Sequence, residues 1–456
     1  MENRLKKIAD KYNVAVPRYT SYPTMPYWES NTFNPASWKE SVKFSFNESN
    51  DASGISLYIH LPFCENLCTY CGCNTRITKN HRVEEPYIAA VLKEWQLYRK
   101  IFEETPVIRE IHLGGGTPTF FSVHNLHKLI DGLLKDVHIH ENADFSFEAH
   151  PANTTVDHLQ TLFDLGFRRL SLGIQDFDPQ VQLMINRRQS FEQAQTVTLQ
   201  ARRIGYTSIN YDLIYGLPQQ TIAGLRKTMS ITAELKPDRI AFYSYAHVPW
   251  IKPGQRKFTE DDLPDPELKG RLQETGRDLL MSYGYQEIGM DHFSLPGDEL
   301  FLAEKQGTLH RNFMGYTPQH TQLLIGLGVS AIGDSWYGFA QNVKTVEEYL
   351  ELIRSGDLPV VKGHRLSETD QSIRRQILNI MCSGYISWKQ FHGANEEFSK
   401  VLTRLHPLAK DGLVILDACG LTVTPLGKRF LRNICMCFDA LLWADKPSTR
   451  LFSMAI

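Results

Sequence analysis

Three cysteines, Cys64, Cys68 and Cys71, crowd into one short stretch, and a fourth, Cys73, follows two positions on. Three thiolates at this spacing can each take one iron of a four-iron cluster, leaving the fourth iron without an obligatory protein ligand. An open iron of that kind can chelate and reduce a sulfonium cofactor. Two other chemistries fit the spacing. All four sulfurs could close a tetrahedral zinc site, although zinc usually draws on two separated pairs and Cys71-Gly72-Cys73 is tight for that geometry. A conventional cluster could instead take Cys73 or a distant cysteine as its fourth ligand. The remaining cysteines, Cys382, Cys419, Cys435 and Cys437, lie far along the chain, so the pattern speaks for metal binding or catalysis rather than a disulfide framework. Cys435 and Cys437 read as helix cysteines, with a redox pair as the sharper alternative.

A glycine run, Gly114-Gly115-Gly116-Thr117-Pro118-Thr119, ends a strand-like segment. Consecutive glycines let a ligand approach the backbone closely, and they also make an ordinary tight turn. The run is not the G-x-G-x-x-G of a dinucleotide fold. Single polar residues, Glu148, Gln175 and Asp212, stand at the ends of later strand-like segments, with Arg187 between two of them. Amide and carboxylate groups converging at one mouth could bind a ribose, an amino group and a carboxylate; singly, each reads as a cap or surface residue.

These motifs need a scaffold that presents strand ends together. Strand patterns at 55–63, 107–116, 144–151, 168–175, 208–218 and 239–246 alternate with helical periodicity, notably over 84–104 and 122–135. Alternation at this spacing predicts right-handed βαβ units, an α/β fold with a partial or complete parallel β/α barrel, and chemistry at the C-terminal strand ends. Residues 1–50 read as irregular, with an extended, proline-bracketed segment from Val16 to Pro23. After about 365 the pattern becomes helical, with a hairpin-like stretch at 412–427, as in a small α-rich accessory domain. Across 456 residues the formal charge is −2, which favours neither nucleic acid nor an anionic membrane surface. No window approaches a spanning apolar helix and no secretory pattern opens the sequence, so a cytoplasmic protein is expected.

The stretch from Tyr58 to Cys73, then GGGTPT, SLGIQDF, NYDLIYGLP, GMDHF, HRNFMGY and the C-terminal RNICMCFD, together with PRYTSYPT near the start, resemble the oxygen-independent coproporphyrinogen III oxidase family over essentially the whole chain. The resemblance implies a radical S-adenosylmethionine (SAM) enzyme that turns two propionates of coproporphyrinogen III into vinyl groups. It implies one [4Fe-4S] cluster on Cys64, Cys68 and Cys71, and two SAM molecules. By matching motifs, Tyr58, Gly115, Glu148 and Ile332 meet the first, with Tyr58 and Glu148 as the catalytic candidates. Tyr70, Gly116, Thr117, Gln175, Arg187, Asp212 and Ala246 meet the second; Tyr70 stands where the family pattern is expected to have phenylalanine. Arg18 and Arg311 are candidates for the substrate propionates. The implied organisation is a substrate-covering arm (1–50), a radical SAM barrel (51–364) and the accessory domain (365–456). A monomer served by a reducing donor such as flavodoxin or ferredoxin is expected. The alternatives are a heme-carrier paralogue, a tetrapyrrole-opening methyltransferase of the same fold and a structural zinc protein.

Overall fold

The computed structural model describes residues 2–29, 33–391, 395–447 and 451–455. All six expected strands form: β1 (Ile55–Leu61), β2 (Val107–Gly115), β3 (His138–Ala149), β4 (Phe167–Gln175), β5 (Ser208–Tyr215) and β6 (Arg239–Ser244). They pair in parallel in that order, with a helix after each. Beyond β6 lies the antiparallel pair β7 (Gln286–Gly289) and β8 (His292–Ser294). On the other side β9 (Leu324–Leu327) runs parallel to β1, and β10 (Ile332–Asp334), β11 (Gly338–Asn342) and β12 (Val360–Arg365) extend the sheet antiparallel. The order is β12-β11-β10-β9-β1-β2-β3-β4-β5-β6-β8-β7. This sheet has two ends, so the barrel is partial.

Period-two alternation decides the two faces of the parallel strands. Ile111 and Leu113, Phe147, Leu170 and Leu172, Ile209 and Tyr211, and Ile240 and Phe242 point outward into the helix-covered core. The residues between them, among them Glu110, His112, Glu148, Arg169, Asp212 and Arg239, line the interior. The apolar face holds the barrel together; the polar face is left for chemistry.

The N-terminal region is not irregular. Helices α1 (Glu2–Tyr12) and α2 (Pro35–Ser53) occupy much of it. For α2 the cause is local. The Asn34 side chain accepts from the Ala36 N–H at 2.9 Å, Pro35 takes the first turn, and Gly54 at φ 68° ends the helix. Trp38, Val42 and Phe46, four residues apart, then bury against the barrel, and the Trp38 indole donates to the Tyr98 hydroxyl at 3.0 Å on α3 (Glu84–Arg99). A polar setting, rich in Ser and Asn, hides that stripe in the sequence.

A second core joins the chain's two ends. Ile8, Tyr12, Tyr19 and Tyr22 pack with Ile377, Leu405, Leu421 and Ile434 of the C-terminal region. There, the expected hairpin forms between Val414–Leu416 and Gly420–Val423, joined by a third strand, Tyr385–Ser387.

Glu94 on α3 ties the helix layer to the β9–β11 side. It accepts from the Gly328 N–H at 2.8 Å, the Asn342 amide at 2.7 Å and the Tyr349 hydroxyl at 2.7 Å. Burial outweighs these bonds and pushes the carboxyl from 4.5 up to about 7. The folded protein therefore holds a proton that the unfolded chain releases, and stability falls as pH rises through the window from 4.5 to about 7. Glu94→Gln should flatten that fall in a series of thermal melts; an unchanged slope would mean that Glu94 titrates as in the unfolded chain.

Candidate active site

The cysteine loop leaves the C-terminal end of β1 and is sewn to its neighbours by backbone bonds. Phe63–Cys64 pairs in parallel with Arg76–Ile77. From the end of β2, the Gly116 and Thr117 N–H groups donate to the Leu61 and Phe63 carbonyls at 2.8 and 3.1 Å. Thr69 donates through its N–H to the Ile185 carbonyl at 2.9 Å and through its hydroxyl to that of Met184 at 3.0 Å. The Asn186 and Gln255 amides hold the Leu67 and Tyr70 carbonyls at 2.8 and 3.0 Å.

The glycine run makes room for this loop as much as for any ligand. A Cβ on Gly116 would lie 2.7 Å from the Pro62 carbonyl, and one on Gly115, at φ 111°, would lie 2.7 Å from the His60 ring. Gly173 does the same for Arg187, whose guanidinium a Cβ there would meet at 2.7 Å. Arg187 in turn donates to the Gly173 carbonyl and points toward the Cys68 sulfur at 3.6 Å.

Cys64, Cys68 and Cys71 open onto a cavity of about 550 Å³. Tyr70, Gly115, Gly116, Thr117, Glu148, Gln175, Arg187 and Asp212 line it. The structure thus brings together eight of the eleven expected cofactor residues. The Thr117 hydroxyl meets the Cys64 sulfur at 3.3 Å. Burial pushes the Cys64 thiol up to about 11, whereas a bond from the Cys73 thiol pulls Cys71 below the usual thiol range. Among the described residues no three His, Cys, Asp or Glu side chains converge on one metal ion. Three thiols of one loop, facing an open cavity with cationic Arg187 behind them, suit the thiolate ligation of a multi-iron cluster.

Two carboxylates on the cavity wall differ in character. Glu148 accepts from the Gly115 N–H at 3.1 Å and stands 3.5 Å from His112 Nε2. Burial alone would raise it, but His112, the Gly115 N–H and His60 together hold it below the usual range. Burial, reinforced by the Glu148 charge, pushes Asp212 up to about 6 against bonds from Asn210 at 2.9 Å and Ser171 at 3.1 Å. Glu148, Asp212 and Tyr243 also wall a deeper interior cavity of about 240 Å³.

Tyr58, Ala246 and Ile332 lie outside the wall of the larger cavity. The Tyr58 hydroxyl donates to His60 Nδ1 at 3.0 Å, a direction set by His60 Nε2 donating to the Asn74 carbonyl at 2.8 Å. The Tyr58 ring stacks on His112, 6.0 Å away. Ile332 packs its carbonyl against Gly326, the β9 residue beside Tyr58, and Ala246 is exposed beyond β6. Arg18 is paired with Asp291. Arg311 is buried over the Tyr316 ring at 4.6 Å, and its Nε and Nη1 have no hydrogen-bond partner. Cys435 and Cys437 are buried with raised pKa values, the property of inert structural thiols.

Sequence reading missed His112, Ser171, Asn210 and Tyr243, which hold or flank the two carboxylates. The signal was alternation: His112, Ser171 and Asn210 each sit two residues from another inward-facing polar position, and Tyr243 continues the inward face of Arg239 and Ala241. Cys64→Ser, Cys68→Ser or Cys71→Ser should each abolish an iron–sulfur chromophore after anaerobic reconstitution, and Cys73→Ser, which lends Cys71 only a hydrogen bond, should keep it. Iron lost on replacing Cys73 alone would show a four-cysteine site.

Residues 58–231 match the Radical SAM superfamily. The oxygen-independent coproporphyrinogen III oxidase of Synechocystis sp. is 38% identical over 99% of this chain and 97% of its own. That of Salmonella typhimurium is 40% identical over 98% of each chain. The solved coproporphyrinogen III oxidase of Escherichia coli, described as a radical SAM enzyme, superposes with a TM-score of 0.87 at 38% identity, covering 93% of this chain and 97% of that one. These relatives bear the oxidase name and not that of a heme carrier. On similarity of this extent, the chain belongs to the oxygen-independent coproporphyrinogen III oxidase family of radical SAM enzymes.

Proposed function

We propose that this protein carries out the oxygen-independent oxidative decarboxylation of two propionates of coproporphyrinogen III, giving protoporphyrinogen IX for heme synthesis. The observation that carries the reading is the trio Cys64, Cys68 and Cys71 opening onto one cavity that Glu148, Gln175, Arg187 and Asp212 also line. When bound, a [4Fe-4S] cluster and SAM supply an electron and a deoxyadenosyl radical able to take hydrogen from an unactivated carbon. The chain's own part is placement. Cys64, Cys68 and Cys71 hold three irons, and Glu148, kept ionised by His112, accepts from a ribose hydroxyl or ammonium. Gly115, Tyr58 and Ile332 complete the first SAM site, Tyr58 by fixing His60 and His112 from behind the wall. A second SAM molecule is assigned to Tyr70, Gly116, Thr117, Gln175, Arg187, Asp212 and Ala246. The cavity supports eight of these residues directly, and Tyr58, Ile332 and Ala246 rest on the family motif.

Arg311 is the stronger of the two candidates for a substrate carboxylate. A buried guanidinium with two idle nitrogens is costly until an anion arrives, whereas Arg18 already has Asp291. We assign catalysis to 51–364, with the arm (1–50) and accessory domain (365–456) completing the substrate site. The protein is proposed to act as a cytoplasmic monomer, independent of nucleic acid and membrane, with a flavodoxin or ferredoxin as electron donor. Among the described residues no helix is long and apolar enough to cross a membrane.

Anaerobic turnover with coproporphyrinogen III, SAM and reductant should yield protoporphyrinogen IX; no product from a fully loaded enzyme would refute the assignment. Arg311→Met should hold or raise Tm, since it removes an unpaired buried charge, while raising KM for the substrate roughly tenfold or more. A fall in Tm with unchanged KM would make Arg311 structural. Asp212 meets a cationic part of SAM best when ionised, so SAM affinity should weaken as pH falls through about 6. Asp212→Asn should remove that pH dependence in calorimetric titrations, and a dependence that survives would place the titrating group elsewhere.

A further inference from the structure

One apolar, cationic patch is fastened to the cysteine loop, and its Leu67 also lines the rim of the cavity. Leu67 within the loop is 40% exposed, and Trp250 and Ile251 on the turn after β6 are 52% and 56% exposed. The turn is fixed to the loop at three points. Lys252 Nζ donates to the Cys73 carbonyl at 3.2 Å, Gln255 to that of Tyr70 at 3.0 Å, and Leu67 packs so closely on Gly254 that a Cβ there would meet it at 3.2 Å. The Val248 N–H, donating to Gln255 Oε1 at 2.6 Å, stiffens the turn. Arg256 and Lys257 project from the same turn, exposed. Among the described residues no carboxylate lies within ion-pair distance of Lys252, Arg256 or Lys257. The acidic run Glu260–Asp262 begins a separate turn, where Asp262 accepts from the Thr259 N–H at 2.9 Å.

An exposed tryptophan and isoleucine beside cations that have no carboxylate partner, Arg256 donating only to the Pro249 carbonyl at 3.0 Å, have the composition of a docking centre rather than of a solvated loop. We propose that Leu67, Trp250 and Ile251, ringed by Arg256 and Lys257, form the docking face for a small acidic one-electron carrier protein. This rests on the radical SAM reading, because that chemistry consumes one electron per SAM cleaved. The carrier's reduced flavin or iron–sulfur group would be oxidised by one electron, which a cluster held by Cys64, Cys68 and Cys71 would take up. Charge selects the partner: an acidic carrier is drawn to Arg256 and Lys257, and the apolar trio brings it onto the loop that carries the cluster ligands.

The test uses the reconstituted full-length enzyme and two reductants, photoreduced flavodoxin and dithionite, with SAM cleavage as the readout. Trp250→Ser and the double variant Arg256→Glu/Lys257→Glu should each slow flavodoxin-driven cleavage about tenfold. Both should leave dithionite-driven cleavage unchanged. Added salt should slow the flavodoxin reaction of the parent enzyme and have less effect on the double variant. Equal flavodoxin rates in parent and variants would overturn the docking face. A parallel fall with dithionite would overturn it too, showing that the turn only props the cysteine loop. If the parent enzyme cleaves no SAM even with dithionite, the radical SAM reading itself fails, a result distinct from either of these.

Discussion

Charges inside a barrel must find partners, because little water is there to screen them. Barrels of this kind commonly fill the interior with branched apolar side chains in layers. Here the early positions of the strands carry ions instead. Arg169 bonds Asp144 at 2.7 Å, Arg239 bonds Asp298 at 2.7 Å, and Glu110 accepts from the Ser56 hydroxyl at 3.0 Å. These groups largely satisfy one another. Further along the strands stand His112, two residues past Glu110, Glu148, four past Asp144, and Asp212 on β5, and there the mutual pairing gives way to open space. The active cavity starts where the internal ion pairs end.

That boundary gives two nearby carboxylates different duties. Glu148 is fastened by backbone and histidine and stays ionised, so it is a fixed acceptor. Asp212 is propped by neutral groups and feels the Glu148 charge, so its proton responds to whatever cation enters. Arg187, threaded past Gly173 to the Cys68 sulfur, offsets negative charge at the thiolate end of the same cavity. A ligand spanning the cavity would meet positive charge and thiolates at one end and carboxylates at the other.

Legibility followed the range of the interactions involved. The cysteine loop could be read because its chemistry fits within ten residues, and the six long strands because an apolar face under helices repeats at short range. Strand β9 was invisible: four residues, one of them Gly326, acquire their role only from Ser56 to Ile59, far away in the chain. Helix α2 was hidden because Trp38, Val42 and Phe46 are separated by Ser, Lys and Glu. The polar alternation in Arg169-Leu170-Ser171-Leu172 was available in the sequence, yet it reads as an exposed face until closure of the sheet turns it inward. The places of Tyr19 and Tyr22 were equally out of reach, because their rings are buried among residues near the other end of the chain, where Tyr19 donates to Asp439 at 3.0 Å.

The arm's attachment also sets an order in time. Ala15 pairs with Met454, the Val16 N–H donates to the Ser453 carbonyl at 3.1 Å, and the Ala455 N–H donates to that of Val14 at 2.8 Å. Residues made near the start of synthesis thus wait for residues made more than four hundred positions later. At usual ribosomal speeds that delay is roughly 20–90 s. The strands that bear the cysteine loop and the carboxylates emerge well before it ends. For that interval a nascent barrel has no completed second core against its side, and the cysteine loop stands formed on strands whose chain ends are not yet clasped.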